Sequence, residues 1–103
     1  MSRVIFSPKL ASSTETYTFD FTSRLAPTET ISTASCTVQV YSGVDGSPSS
    51  MLSGSAAISG AQVGQLLTSG VAGVIYEILC SAHTSVGQTL YLSAYLAVIP
   101  ELS

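Results

Sequence analysis

The sequence has little charge. Lysine and arginine total 3, aspartate and glutamate total 6, and charged residues are 9% of the chain. Arg3, Lys9 and Arg24 cannot build the multi-contact phosphate footprint that nucleic-acid binding needs, and the net charge of −3 has the wrong sign for it. Little charge also means little repulsion between copies.

Chemistry-bearing residues are equally scarce. His83 is the single histidine. It stands three residues after Cys80, a spacing that puts the two on opposite faces of a strand and forbids a thiolate–imidazole pair within it. No CxxC, HxxxH or carboxylate cluster supplies metal ligands; Glu15, Asp20, Glu29, Asp45, Glu77 and Glu101 are scattered. Asp45-Gly46 reads as a turn rather than a calcium loop, because no alternating ligand series follows. The glycines fit no phosphate-cradling pattern. The expectation is no enzyme, no metal and no cofactor, hence no catalytic, cofactor-binding or metal residue.

Long apolar runs are missing too. The longest, Val71 to Ala82, is broken by Gly73 and Glu77 and is too short to cross a bilayer, so no membrane partner is expected. Pro8 and Lys9 fall where a secretory leader would be apolar, which points to synthesis in a cytoplasm. Cys36 and Cys80 sit on the apolar phases of two different expected strands. Two readings stand: reduced thiols acting as small hydrophobes, or a disulfide between facing sheets.

What is present is apolar residue and hydroxyl. Hydrophobic residues are 46% of the 103, and serine and threonine fill most polar positions. This length suits one domain with a core that needs no staples. The balance suits a member of a permanent assembly; the competing reading is a monomer with a Ser/Thr-rich β surface.

Periodicity writes the fold class. In Tyr76 to Val98, Tyr76, Ile78, Cys80 and Ala82, then Leu90, Leu92, Ala94, Leu96 and Val98, are apolar at period two around Ser85-Val86-Gly87-Gln88. That is an antiparallel hairpin with one buried face. Glu15 to Phe21 places Tyr17, Phe19 and Phe21 on one face, and Ile31 to Tyr41 places Ala34, Cys36, Val38 and Val40 on one face. Ser42 to Ser55 reads as a long loop, mobile or contact-making, with Met51 and Leu52 pinning its middle. Ala56 to Ile58 suggests a short strand, and Gln62 to Thr68 a strand or, less favourably, Ala61 to Leu67 a short helix containing Gly64. Short strands, turn signals and no long helical pattern give an all-β sandwich or barrel of about seven strands. Residues 1–14 read as an N-terminal arm or edge strand, and 15–103 as the sandwich domain.

The order of segments carries a resemblance. Phe19-Asp20-Phe21-Thr22-Ser23-Arg24-Leu25 leads to Thr28-Glu29-Thr30-Ile31 and Ser35-Cys36-Thr37-Val38. Leu67-Thr68-Ser69-Gly70-Val71-Ala72-Gly73-Val74-Ile75-Tyr76 and Thr84-Ser85-Val86-Gly87-Gln88-Thr89 follow. Across Thr16 to Val98 this resembles the small tailed-phage fiber–tail adaptors. In their pattern tryptophan usually stands at the place of Cys36, and glycine at the place of Ser69. The resemblance implies an immunoglobulin-like antiparallel β-sandwich, a structural virion protein in many copies, and a place in the virion tail. It would join tail or baseplate to fibers through protein–protein contacts.

On that reading the interface residues expected are Val4, Ile5 and Phe6 in the arm, Met51 and Leu52 in the long loop, and the outward tyrosines Tyr91 and Tyr95. Two other functions fit the same composition. One is a capsid decoration or head–tail connector protein. The other is a carbohydrate-binding sandwich module, which the absence of aromatic residues between Ser42 and Ser55 disfavours.

Overall fold

A computed structural model describes residues 4–6 and 8–100; the side chains of Val4 and Ile5 lie outside the description. The hairpin is its centre. Strand β7 (Ile75–Thr84) pairs antiparallel with β8 (Thr89–Ile99), with Ile78 opposite Ala94 and Cys80 opposite Leu92. Two backbone bonds close the connection, Gly87 N–H to Thr84 O at 3.1 Å and Thr84 N–H to Gln88 O at 2.9 Å. Gly87 takes φ 86°, a conformation that a side chain would strain.

Strand β4 (Ile31–Ser42) pairs antiparallel on the other side of β7. Two short pieces, β1 (Val4–Ile5) and β2 (Lys9–Leu10), run parallel to β8 and meet it at Ala94–Tyr95 and Val98–Ile99. They share one lane, so the large sheet reads β1/β2, β8, β7, β4. This parallel lane is the one departure from antiparallel pairing among the described residues. The second sheet holds β3 (Thr14–Asp20), β5 (Leu52–Ser59) and β6 (Gln62–Thr68) in the order β3, β6, β5. The described residues thus form seven lanes in two sheets, a β-sandwich. The 12-residue β4 and 11-residue β8 set its length, and the molecule measures 49 × 23 × 21 Å.

The core lies between the sheets. Tyr76, Ile78, Cys80 and Ala82 have no exposed surface; Leu92, Ala94, Leu96 and Val98 continue the same face from β8. Tyr17, Phe19, Val63 and Leu67 meet them from the small sheet. The alternation expected for the hairpin, for Tyr17–Phe19–Phe21 and for Cys36–Val38 is the alternation found. Residues 62–68 are a strand, not a helix: Val63, Gln65 and Leu67 are buried at period two.

The long loop is shorter than its composition suggests. Ser42 to Ser55 was expected to be loop throughout, but Pro48–Met51 is a 3-10 turn and β5 begins at Leu52. The glycine and serines of β5 read as loop because the strand is an edge with a register shift between Ser53 and Ala57, where small residues suffer little.

Ser69 is the single non-glycine residue with positive φ among those described, at 57°. It is exposed, and its carbonyl accepts the Lys9 Nζ at 2.6 Å. The backbone there keeps the geometry glycine would take freely, and serine bears the steric cost. Ser69→Gly is expected to raise stability by about 0.5–1 kcal/mol, because the steric cost is removed and the exposed side chain hides little surface from water. Urea unfolding of the two chains measures it; an unchanged or lower midpoint contradicts the strain argument.

Candidate interface

Among the described residues no three His, Cys, Asp or Glu side chains gather into a metal-binding group, and no helix is long and apolar enough to cross a membrane. His83 is exposed, with Nδ1 2.9 Å from the Thr89 hydroxyl, while Cys80 faces the core. The surface features worth building are apolar.

The first is the outer face of the large sheet. Tyr41 comes from β4, Ile75 from β7, and Tyr95 and Ala97 from β8. Ile75 lies opposite Ala97 in register, which floors the site with two side chains on adjacent strands. Strands two lanes apart are about 10 Å apart, yet the Tyr41 and Tyr95 rings lean over β7 until their centroids are 4.5 Å apart at 49°. With Pro8 and Phe6 at the edge they line a groove of about 380 Å³. Its rim continues along the same face. Tyr41 is 60% exposed, Tyr91 46%, Ile99 41% and Leu79 38%.

The expected interface residues divide. Tyr91 and Tyr95 are on this outer face, Tyr91 exposed and Tyr95 half-buried in the groove wall. Phe6 is half-buried: its ring meets Tyr17 at 4.8 Å and Phe19 at 5.2 Å, so it plugs the flank between β8 and β3 while also reaching the groove edge. Met51 is fully buried and pins the long loop from inside, and Leu52 is half-buried beside the core. Val4 and Ile5 are backbone partners of β8, and their side chains fall outside the described residues. Sequence reasoning missed Pro8, Tyr41, Ile75 and Ala97 as a group. One signal was available: beyond Ser93 the outward phase of β8, Tyr95, Ala97 and Ile99, is apolar like the inward one.

The second feature fixes the loop beside this groove. The Tyr76 hydroxyl donates to Asp45 Oδ2 at 2.7 Å and accepts the Val71 N–H at 2.8 Å. Asp45 Oδ1 takes the Ser47 N–H at 2.9 Å, the turn expected of Asp45-Gly46. The loop must pass close to β7 to do this. A Cβ on Gly43, φ 108°, would stand 2.9 Å from Val74 Cγ2. Burial, then the bond to Asp45, push the Tyr76 hydroxyl above the usual phenol value. The Tyr76 hydroxyl, then the Ser47 N–H, hold Asp45 below the usual carboxylate value, and the Thr22 hydroxyl and N–H do the same for Asp20.

With that geometry established, comparison with known families becomes informative. The family model described as podophage GP4 fiber-tail adaptor protein gp77 matches residues 9–97. The chain belongs to that family. It is a family of structural tail-fiber adaptors rather than enzymes, and four of the six residues lining the groove fall within the matched span, Phe6 and Pro8 preceding it. No curated protein and no solved structure matches the chain.

Two outcomes follow from the latch. Tyr76→Phe keeps the ring but loses both hydroxyl bonds, and is expected to cost about 1–2 kcal/mol in urea unfolding; no loss would mean that the loop is held by Met51 alone. For Asp45 and Asp20 the folded value lies below the unfolded one. Their stabilisation is therefore present above the ordinary value of 3.8 and lost as pH falls through the folded value. The urea midpoint is expected to be flat near neutrality and to fall below about pH 4, with Asp45→Asn flattening part of that fall. A midpoint that rises on acidification contradicts the assignment.

Proposed function

We propose that this chain is a structural adaptor of a podophage tail, joining the tail to its fibers through protein–protein contacts made by the outer face of the large sheet. Family membership supports the tail-fiber role. The single observation that carries the choice of face is the uncharged groove of Tyr41, Ile75, Tyr95 and Ala97, flanked by exposed Tyr91, Leu79 and Ile99. An exposed apolar groove walled by tyrosines marks a place another protein covers, and Glu77, opposite Tyr95 and bonded to Gln39, gives the same face a polar neighbour. Tyrosine suits the task because its ring is buried on assembly while its hydroxyl tolerates water beforehand.

The occupant is a tail or fiber subunit that presents apolar side chains, because the lining residues offer no charge to meet an acidic or basic partner. The exposed surface elsewhere is rich in serine and threonine, which keeps the free chain in solution until it is incorporated. Many copies on one tail, and synthesis in the host cytoplasm before assembly, complete the reading.

Tyr41→Asp tests it. Tyr41 is 60% exposed, so the change perturbs folding little but puts a charge on the groove wall. The variant is expected to melt within a few degrees of the parent, by roughly the surface-substitution allowance. Its incorporation into particles should fall at least about tenfold, the equivalent of 1.4 kcal/mol, with fibers lost in step. Unchanged incorporation and fiber content would remove the face from the proposal. Labelled chain found on the head shell instead of the tail would remove the adaptor role itself.

A further inference from the structure

Cys36 on β4 and Cys80 on β7 stand directly opposite each other in the register of one antiparallel pair. Opposed residues of such a pair have Cα atoms about 4.5–5.5 Å apart, inside the span that disulfides take. Both side chains point into the core: Cys80 has no exposed surface and Cys36 8%. The two thiols are free. The sequence left open a disulfide between facing sheets; the fold instead puts both cysteines on neighbouring strands of one sheet, where bonding requires no approach of one sheet to the other. The groove, the latch and the core packing use neither sulfur as a sulfur.

We propose that Cys36 and Cys80 form a latent cross-strand disulfide, a redox modification site that closes when the folded chain meets a disulfide oxidant. The two sulfurs are not equivalent. β4 is an end lane of the large sheet and β7 is interior, so Cys36 is the one reached when β4 frays. Cys36 also keeps 8% of its surface exposed, whereas Cys80 keeps none. Cys36 is therefore the attacking thiolate.

With oxidised glutathione the step balances. The Cys36 sulfur, having given up its proton to solvent, attacks one glutathione sulfur. The glutathione disulfide breaks, a Cys36–glutathione mixed disulfide forms, and one glutathione thiolate leaves. The Cys80 thiol then loses its proton and attacks the Cys36 sulfur, releasing the second glutathione thiolate. The two thiols lose two electrons and two protons, and the oxidant becomes two reduced glutathione molecules. The new bond ties terminal strand β4 to β7, and the covalent loop it closes contains all of β5 and β6 of the opposite sheet. Closure thus restricts the unfolded chain over the whole stretch that carries β5 and β6. A particle that leaves a reducing cell for an oxidising exterior supplies the change in conditions.

The test uses the full chain, reduced, freed of reductant and incubated folded with oxidised glutathione at mildly alkaline pH. The expected product is a monomer lighter by two hydrogen atoms, giving a Cys36–Cys80 linked peptide on digestion. Its melting temperature should exceed that of the reduced chain by roughly 10 °C. Cys36→Ala and Cys80→Ala should each abolish both the mass change and the shift. A stable glutathione adduct without closure, cross-links between chains, or two thiols still open to alkylation after denaturing quench would each overturn the proposal. A linked product that melts no higher would overturn its stabilising role.

Discussion

The structure depends on one buried strand face. Tyr76, Ile78, Cys80 and Ala82 of β7 have no contact with water, and β7 lies between β4 and β8. A strand bonded on both edges and covered on one face leaves its neighbours little freedom. The register of β4 and β8 must put their own apolar phases on the same side, since a slip of one residue would turn the whole set outward. The small sheet follows from the same requirement. Phe19, Val63 and Leu67 cover what β7 and β8 hide from water. Tyr76 extends the constraint beyond the core. Its ring belongs to the buried face, and its hydroxyl holds Asp45 and Val71, so the position of the loop between β4 and β5 is fixed by the strand that organises the sandwich.

This explains what was legible in the sequence. A side chain's inward or outward phase depends on its immediate neighbours, so period-two alternation was readable for β3, β4, β6, β7 and β8 without knowing which strand lies beside which. Lane order is a different matter. Nothing local says that Val4–Ile5 and Lys9–Leu10 share one lane and run parallel to β8, because both pieces are two residues long and Pro8 interrupts the pattern between them. The start of β5 was hidden for a related reason. Leu52 to Ser55 has strand geometry at an exposed edge, where glycine and serine serve as well as β-branched residues. Met51 shows the limit from the other side. With Leu52 it was readable as a pin in a serine-rich loop, but its complete burial depends on contacts that only the folded chain supplies.

The groove was partly legible on the same logic. Tyr91 and Tyr95 could be assigned to an outward face from phase alone. Their meeting with Tyr41 could not, since it joins strands that are not neighbours, and it requires β4 to reach β7 with the register shift between Val40 and Ser42. A register shift bends a strand and increases its twist. Here it falls beside Tyr41, whose ring crosses the sheet to Tyr95. The irregularity thus falls beside the groove, while the stretch from Thr33 to Val40 keeps regular register and turns Thr33, Ser35, Thr37 and Gln39 outward.

The two outer faces of the sandwich differ in a way that the low charge makes consequential. Outside the small sheet, Thr14, Thr16, Thr18, Asp20 and Gln62 face water, and Thr14 and Thr68 share a hydrogen bond at 2.8 Å; Leu66 is the large apolar residue among them. Outside the large sheet the exposed side chains include Tyr41, Leu79, Tyr91 and Ile99 around the groove. In a highly charged protein, orientation toward a partner is imposed at long range by the field. A chain with 9% charged residues has little such field, and its docking must be decided at contact. A hydroxylated outer face on the small sheet and an apolar groove at one end of the large sheet achieve that, since the groove gains from losing its water and the hydroxyls do not. The asymmetry sets which side of the domain meets the assembly without any charge pair to specify it.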